Sequence, residues 1–233
     1  MQEEKSLMNM MKTAFLPLMI YYFVHQMSAM VLLSLVSKIF LEQVEKGGSI
    51  WIMLAKMVAM MLGGAAVFVY YSKEKKIREY DNASANIKWQ LKVTSCAVIV
   101  IAGAVFSLAL NYLFAITGLK ESSAAYSQVA KEQFSYALLP ALLFYGVVSP
   151  LVEEVVFRGV VYNSLRRNLG ILPAVLGSAL LFGAIHGNIV QMLYGTLMGI
   201  VMAILYEKYG KLLAPILFHG AANVAIYLCT YFF

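Results

Sequence analysis

The chain has 233 residues, 61% of them hydrophobic and 13% charged, with a mean hydropathy of +0.76. A soluble domain of this size is nearer half apolar and a quarter charged, so an ordinary globular domain is excluded and an integral helical membrane protein is favoured. The net charge of +6 then reads as a topology signal and calls for no nucleic-acid partner. The strand-length alternation of an outer-membrane barrel is absent. Cys96 and Cys229 fall within apolar runs and suggest neither a disulfide framework nor a CxxC metal site. The opening residues, Met1-Gln2-Glu3-Glu4-Lys5, are too acidic for a typical signal peptide. Lysine makes up 14 of the 18 basic residues, which points to an AT-rich bacterial genome and hence to a bacterial cell membrane.

A spanning helix needs roughly 20 mostly apolar residues. Seven segments qualify: 14–36, 50–72, 91–116, 135–157 running on toward 165, 171–187, 189–207 and 212–232. The expected fold is an all-α polytopic bundle of about seven transmembrane helices. Residues 1–134 hold the first three helices and a basic loop, and residues 135–233 hold the rest. In the first segment His25 has no obvious partner and reads as a structural hydrogen-bonding group. Lys56 interrupts the second and reads as a snorkelling or bundle-facing lysine. From Phe134 to Arg167 the chain is apolar apart from Glu153, Glu154 and Arg158. As one helix that stretch would be roughly 50 Å long, more than a bilayer core. Ser149-Pro150 offers a break, and a helix restarting there would place both glutamates near its positive dipole end. Segments five and six are separated only by Gly187 and Asn188, a tight turn. Gly195, Gly199 and Ala203 form a small-residue ridge that close helix packing explains.

Basic residues set the orientation. The stretch from Lys73 to Lys92 is rich in lysine and should be cytoplasmic. Alternation from there puts Lys5, Lys12, Arg166, Arg167, Lys208 and Lys211 on the same side. The opposite loops hold Lys38, Lys46, Lys120 and Lys131, diluted by Glu42, Glu45, Glu121 and Glu132. The N-terminus is therefore expected inside and the C-terminus outside. The depths along the helices do not match easily. Glu153 lies about 20 Å above the Arg166 end, His219 about 12 Å above Lys211, and His186 close to the outer turn. Tilt, a kink at Pro150 or Pro215, or a re-entrant segment must reconcile them.

Ionisable groups at membrane depth are expensive and mark functional sites by default. Adjacent helical residues point about 100° apart, so Glu153 and Glu154 cannot face one spot. Glu154 and Arg158 are four apart, acid first, the better order for an ion pair. That leaves Glu153 free to act as a general base on water. Phe182 and His186 share a helix face, and the ring could fix the imidazole and exclude water. His219 and Asn223 also share a face and could donate two hydrogen bonds to one developing oxyanion. Glu153, His186 and His219 come from three helices and equally match a zinc ligand set, although no HExxH is present. Spacing leaves zinc and metal-free activation both open.

At these residues the chain resembles the intramembrane proteases of the CAAX-protease and bacteriocin-processing family (CPBP, or Abi). The family's ordered motifs, EExxxR, FxxxH and Hxxx(N/D), stand here as Glu153-Glu154-xxx-Arg158, Phe182-xxx-His186 and His219-xxx-Asn223. Pro150, Phe157-Arg158-Gly159 and Ala214-Pro215 also match, and the likeness covers about residues 135–230. The resemblance implies that residues 135–233 form the catalytic core of an endopeptidase acting on a membrane-associated peptide or protein. In that core Glu153 and His186 activate water, while His219 and Asn223 stabilise the oxyanion. The family has long been labelled metalloprotease, yet its better-understood eukaryotic members look metal-independent. Asparagine is also a poor zinc ligand, so a metal-free site is favoured, with zinc on Glu153, His186 and His219 as the alternative. Some bacterial members act as non-proteolytic regulators of membrane kinases, so a scaffold whose motifs serve packing is the second function class. The absence of inverted repeats argues against a transporter. The sequence leaves substrate and oligomeric state open.

Overall fold

The computed structural model describes residues 8–40, 49–73 and 90–232. The charged N-terminal residues, the loop with Glu42, Glu45 and Lys46, and most of the basic stretch between Lys73 and Lys92 lie outside these residues. Eight helices and no strands are present among the described residues. They are α1 (Met8–Ile39), α2 (Ser49–Lys73), α3 (Val93–Ile116), α4 (Ala124–Phe134), α5 (Leu138–Leu169), α6 (Ile171–Ala184), α7 (Ile189–Tyr209) and α8 (Leu213–Phe232). Six of them, all but α4 and α6, are long and apolar enough to cross a membrane. Their outward side chains fit a lipid surface: Met19, Phe23, Val98, Ile101, Leu139 and Leu172 are each more than half exposed.

The expected seventh span is the short one. α6 has 14 residues, about 21 Å of helix, too little for a full hydrocarbon core of roughly 30 Å. Gly170 (φ 91°) and Gly187 (φ 76°) take backbone conformations that only glycine adopts without strain, and they bound the α6 segment. This shortness bears on the depth of His186 alone. His186 lies just past the end of α6, so it stands at a depth similar to Glu153 and not at an outer turn.

The expected break at Ser149-Pro150 is not there, and α5 runs through it. The helix instead widens to π-helical winding at Phe144–Val148 and Val155–Tyr162, on either side of the diglutamate. In this winding Ser149 N–H bonds the Phe144 carbonyl. The next donor in the series would be Pro150, which has no N–H. The Tyr145 carbonyl it would have served accepts from Asn223 Nδ2 of α8 at 2.8 Å instead. The glutamates therefore sit mid-helix, without a positive helix terminus beside them.

Helix directions follow from contacts at the two ends. Asn9 Nδ2 donates to Asn168 Oδ1 (3.0 Å), Tyr70 OH donates to the Lys12 carbonyl (2.9 Å), and Arg166 pairs with Glu207 (3.2 Å). At the far end Tyr227 OH donates to the Tyr136 carbonyl (2.7 Å), and Lys56 pairs with Glu132. α3 and α8 run the same way, with Ser107 Oγ donating to the Ala222 carbonyl at 3.3 Å. A Cβ on Gly103 would come within 2.4 Å of the Phe218 carbonyl, so glycine is what lets these two backbones approach. The bundle thus has one end bearing Lys12, Arg166, Arg167 and Lys208, and an opposite end bearing Lys56, Lys120 and α4. Lys56 is bundle-facing, as expected, and has a carboxylate partner. His25 stacks on Tyr21 with ring centroids 5.6 Å apart. The small-residue ridge of α7 packs on α6, with Gly199 against Ala179.

Candidate active site

The centre of the bundle holds charge with almost no access to water. Glu154 and Arg158 are fully buried, and Glu153 and His219 are 7% and 6% exposed. Such burial is tolerable only where each charge has a partner. Arg158 Nη1 donates to Glu154 Oε1 at 3.0 Å, the expected pair one helical turn apart. Its Nη2 reaches the Gly199 carbonyl at 3.2 Å, and its guanidinium lies 4.8 Å from the centre of the Phe182 ring. α5 is thereby tied to α6 and α7.

Glu154 is not the partner of Arg158 alone. His219 Nδ1 of α8 stands 3.0 Å from the same oxygen, Glu154 Oε1. The opposite face of that imidazole points its Nε2 toward Glu153 Oε2, 3.7 Å away. That is beyond a direct hydrogen bond, and a water or substrate atom beside the pair could reach both. Glu153 Oε1 in turn accepts from Ser149 Oγ at 2.7 Å. The sequence pairs His186 with Glu153, but the imidazole in reach of Glu153 is His219. Ser149, expected at a helix break, instead orients Glu153. Its spacing of four from Glu153 is the signal that could have shown this.

His186 is fixed by its own helix. Its Nδ1 lies 2.9 Å from the Phe182 carbonyl. A carbonyl only accepts, so Nδ1 carries the proton and Nε2 is the nitrogen left to meet a ligand. The Phe182 ring meets both imidazoles edge to face, at 5.2 Å from His186 and 5.6 Å from His219. The aromatic position of the FxxxH spacing thus serves two histidines as well as the arginine. Asn223 spends one amide hydrogen on the Tyr145 carbonyl and keeps a second N–H.

Glu153, His186, His219 and Asn223 line one cavity of about 350 Å³. It extends from this cluster to the end of the bundle opposite Arg166, where Lys56, Lys120 and α4 form its wall. α4 is an element the sequence reading did not anticipate. It is polar and short, and Ser123 caps its start by accepting from Tyr126 N–H at 3.2 Å. Among the described residues no three His, Cys, Asp or Glu side chains gather as the ligands of one ion would. The zinc set Glu153, His186 and His219 is present in the cavity wall but is not preassembled around a point.

The family model described as Type II CAAX prenyl endopeptidase Rce1-like matches residues 135–225. A Bacillus subtilis protein named "Putative membrane peptidase YdiL" is 30% identical over 81 residues, covering 35% of this chain and 33% of that protein. The match therefore spans about a third of that relative's length. No solved structure matches the chain. Both matches support the resemblance to the CPBP intramembrane proteases. The family match takes in all three motifs and leaves α1–α4 outside it.

Proposed function

We propose that this chain, whose residues 135–225 carry the sequence pattern of type II CAAX prenyl endopeptidases, is an intramembrane endopeptidase acting on a membrane-associated peptide or protein. The observation that carries the reading is the shared cavity. Glu153 of α5, His186 just past α6, and His219 and Asn223 of α8 line one cavity inside an apolar bundle.

Glu153 takes a proton from a water lying between itself and the scissile carbonyl. Ser149 holds the carboxylate toward that position, and the free Nε2 of His186 holds the water's other hydrogen. The water oxygen bonds the carbonyl carbon, and the carbonyl electrons move onto oxygen. His219 Nε2–H and the second N–H of Asn223 donate to that oxyanion. Glu153 then passes its proton to the amine as the C–N bond breaks, leaving a carboxyl and an amine product. The charges balance when His219 carries a proton, because two carboxylates then face one guanidinium and one imidazolium. The donor set needs no metal for these steps. The two histidines and Glu153 would be the ligands if zinc bound.

The basic end of the bundle is the cytoplasmic end in this reading, so the cavity opens to the outside. A C-terminal reporter should read extracytoplasmic, and one fused between Lys73 and Lys92 should read cytoplasmic. The opposite result would turn the cavity toward the cytoplasm.

A second reading rests on the bonding of the motif residues themselves. Glu154, Arg158, His219 and Asn223 all tie helices together, as they would in a non-proteolytic scaffold. Peptide profiles of cells carrying wild-type protein and Glu153→Gln decide between them. Loss of specific products supports the peptidase, and identical profiles with unchanged phenotype support the scaffold.

A further inference from the structure

Glu153, His186, His219 and Asn223 lie at the deep end of the cavity, and its outer wall is built from other residues. Two lysines line that wall, Lys56 and Lys120. Lys56 is neutralised by Glu132. Lys120 is not: among the described residues no carboxylate lies within ion-pairing distance of it. Its Nζ donates to Asn111 Oδ1, from the last turns of α3, which is itself part of the cavity wall. The turn between α3 and α4 builds this placement. Gly118 (φ 71°) reverses the chain after α3, and Ser122 N–H closes the turn on the Gly118 carbonyl at 3.1 Å. Lys120 is thereby folded back on Asn111, nine residues earlier in the chain. Burial pushes its ammonium below the ordinary lysine value, with Glu121 and Cys229 acting in the other direction. A half-buried cation whose hydrogen bond goes to a neutral amide oxygen, with no carboxylate in ion-pairing reach among the described residues, is a place where an anion is favoured.

We propose that Lys120, held by Asn111, forms a carboxylate-binding subsite at the outer end of the cavity that selects and positions the substrate peptide. The subsite rests on the peptidase reading above for its purpose. Its ligand is a carboxylate on the peptide chain, from either a free C-terminus or an Asp or Glu side chain. In either case the pairing fixes how far the scissile bond lies from the anchored group.

The test uses a fluorescein-labelled peptide of alanine and leucine in three forms: free C-terminal acid, C-terminal amide, and amide with one internal glutamate. Binding is measured by anisotropy to the full-length Glu153→Gln protein in nanodiscs, alone and combined with Lys120→Gln or Lys120→Arg. Amidation should weaken binding by on the order of tenfold, the usual size of a hydrogen bond to a charged group. That penalty should vanish with Lys120→Gln and persist with Lys120→Arg. Recovery by the internal glutamate would name the side chain as the ligand, and no recovery would name the C-terminus. Equal binding of all three forms, no binding of any, or an amidation penalty unchanged by Lys120→Gln would overturn the subsite. Incubating wild-type protein with the same peptides separates the two ideas. Cleavage without carboxylate preference keeps the peptidase and removes the subsite, whereas Lys120-dependent binding without cleavage does the reverse.

Discussion

The two halves of this molecule use charge in opposite ways. At the centre of α5–α8 the charged and polar groups are buried and bonded within and between helices: Glu154 serves Arg158 and His219, Ser149 serves Glu153, and Asn223 serves a carbonyl that Pro150 leaves open. In α1–α4, among the described residues, the bundle-facing ion pair of Lys56 with Glu132 is half exposed on its glutamate side. The first arrangement is costly to build and costly to break, because an unpaired charge in low dielectric has no water to fall back on. The second is cheap, screened and open to change. On the proposed function, the difference teaches that the motif-bearing half would carry the chemistry, while the other half would shape the way in.

Perturbing Glu153 should have the largest effect. Glu153→Gln keeps the Ser149 contact and the shape but loses the base, so turnover in proteoliposomes should fall about 10²–10⁴-fold with thermal stability near wild type. Equal turnover would end its assignment as base. Next comes Glu154→Gln, which leaves Arg158 buried without its carboxylate and loosens His219. It should cost about 3–5 kcal/mol, the usual penalty for breaking a buried pair, and be read as a large drop in melting temperature in detergent. A well-folded but inactive Glu154→Gln protein would show that the comparison is drawn too sharply, with Glu154 serving chemistry more than packing.

The Lys56–Glu132 pair should respond far less. Burial raises the Glu132 carboxyl, but hydrogen bonds from Lys56 and Tyr136 outweigh it and hold the group below its ordinary value. A lowered folded-state value means that the contribution is fully present above the ordinary carboxylate range. It is lost as pH falls through the lowered value. Because Glu132 is half exposed, Glu132→Gln should cost at most about 1 kcal/mol. Hydrogen exchange should quicken in α4 and leave α5–α8 unchanged. Spread of faster exchange into α5 would mean that the outer latch and the buried network are one cooperative unit. The smallest expected effect is that of chelation. Activity should survive excess EDTA or phenanthroline, with zinc well below one per chain by elemental analysis. Chelator-sensitive activity restored by zinc alone would reverse the choice of mechanism while keeping the peptidase.

Much of the molecule was legible in one dimension. Hydrophobic runs marked the spanning helices, since a bilayer demands length and apolarity from each segment by itself. Spacing of four joined Glu154 to Arg158, Phe182 to His186 and His219 to Asn223, because such residues share a helix face whatever surrounds the helix. What local spacing cannot carry is the meeting of faces from different helices. Only the packed bundle set His219 between both glutamates and brought Asn223 to the Tyr145 carbonyl. It turned a predicted break at Pro150 into π-helical winding, because a carbonyl from α5 could find its donor on α8. It also held α6 short of a full span, which brought His186 to the depth of Glu153. The sequence by itself determined which residues are too costly to place in lipid without purpose. Tertiary structure decided which of them answer one another, since that depends on helix depth, rotation and close approach at glycines, none of which any single segment contains.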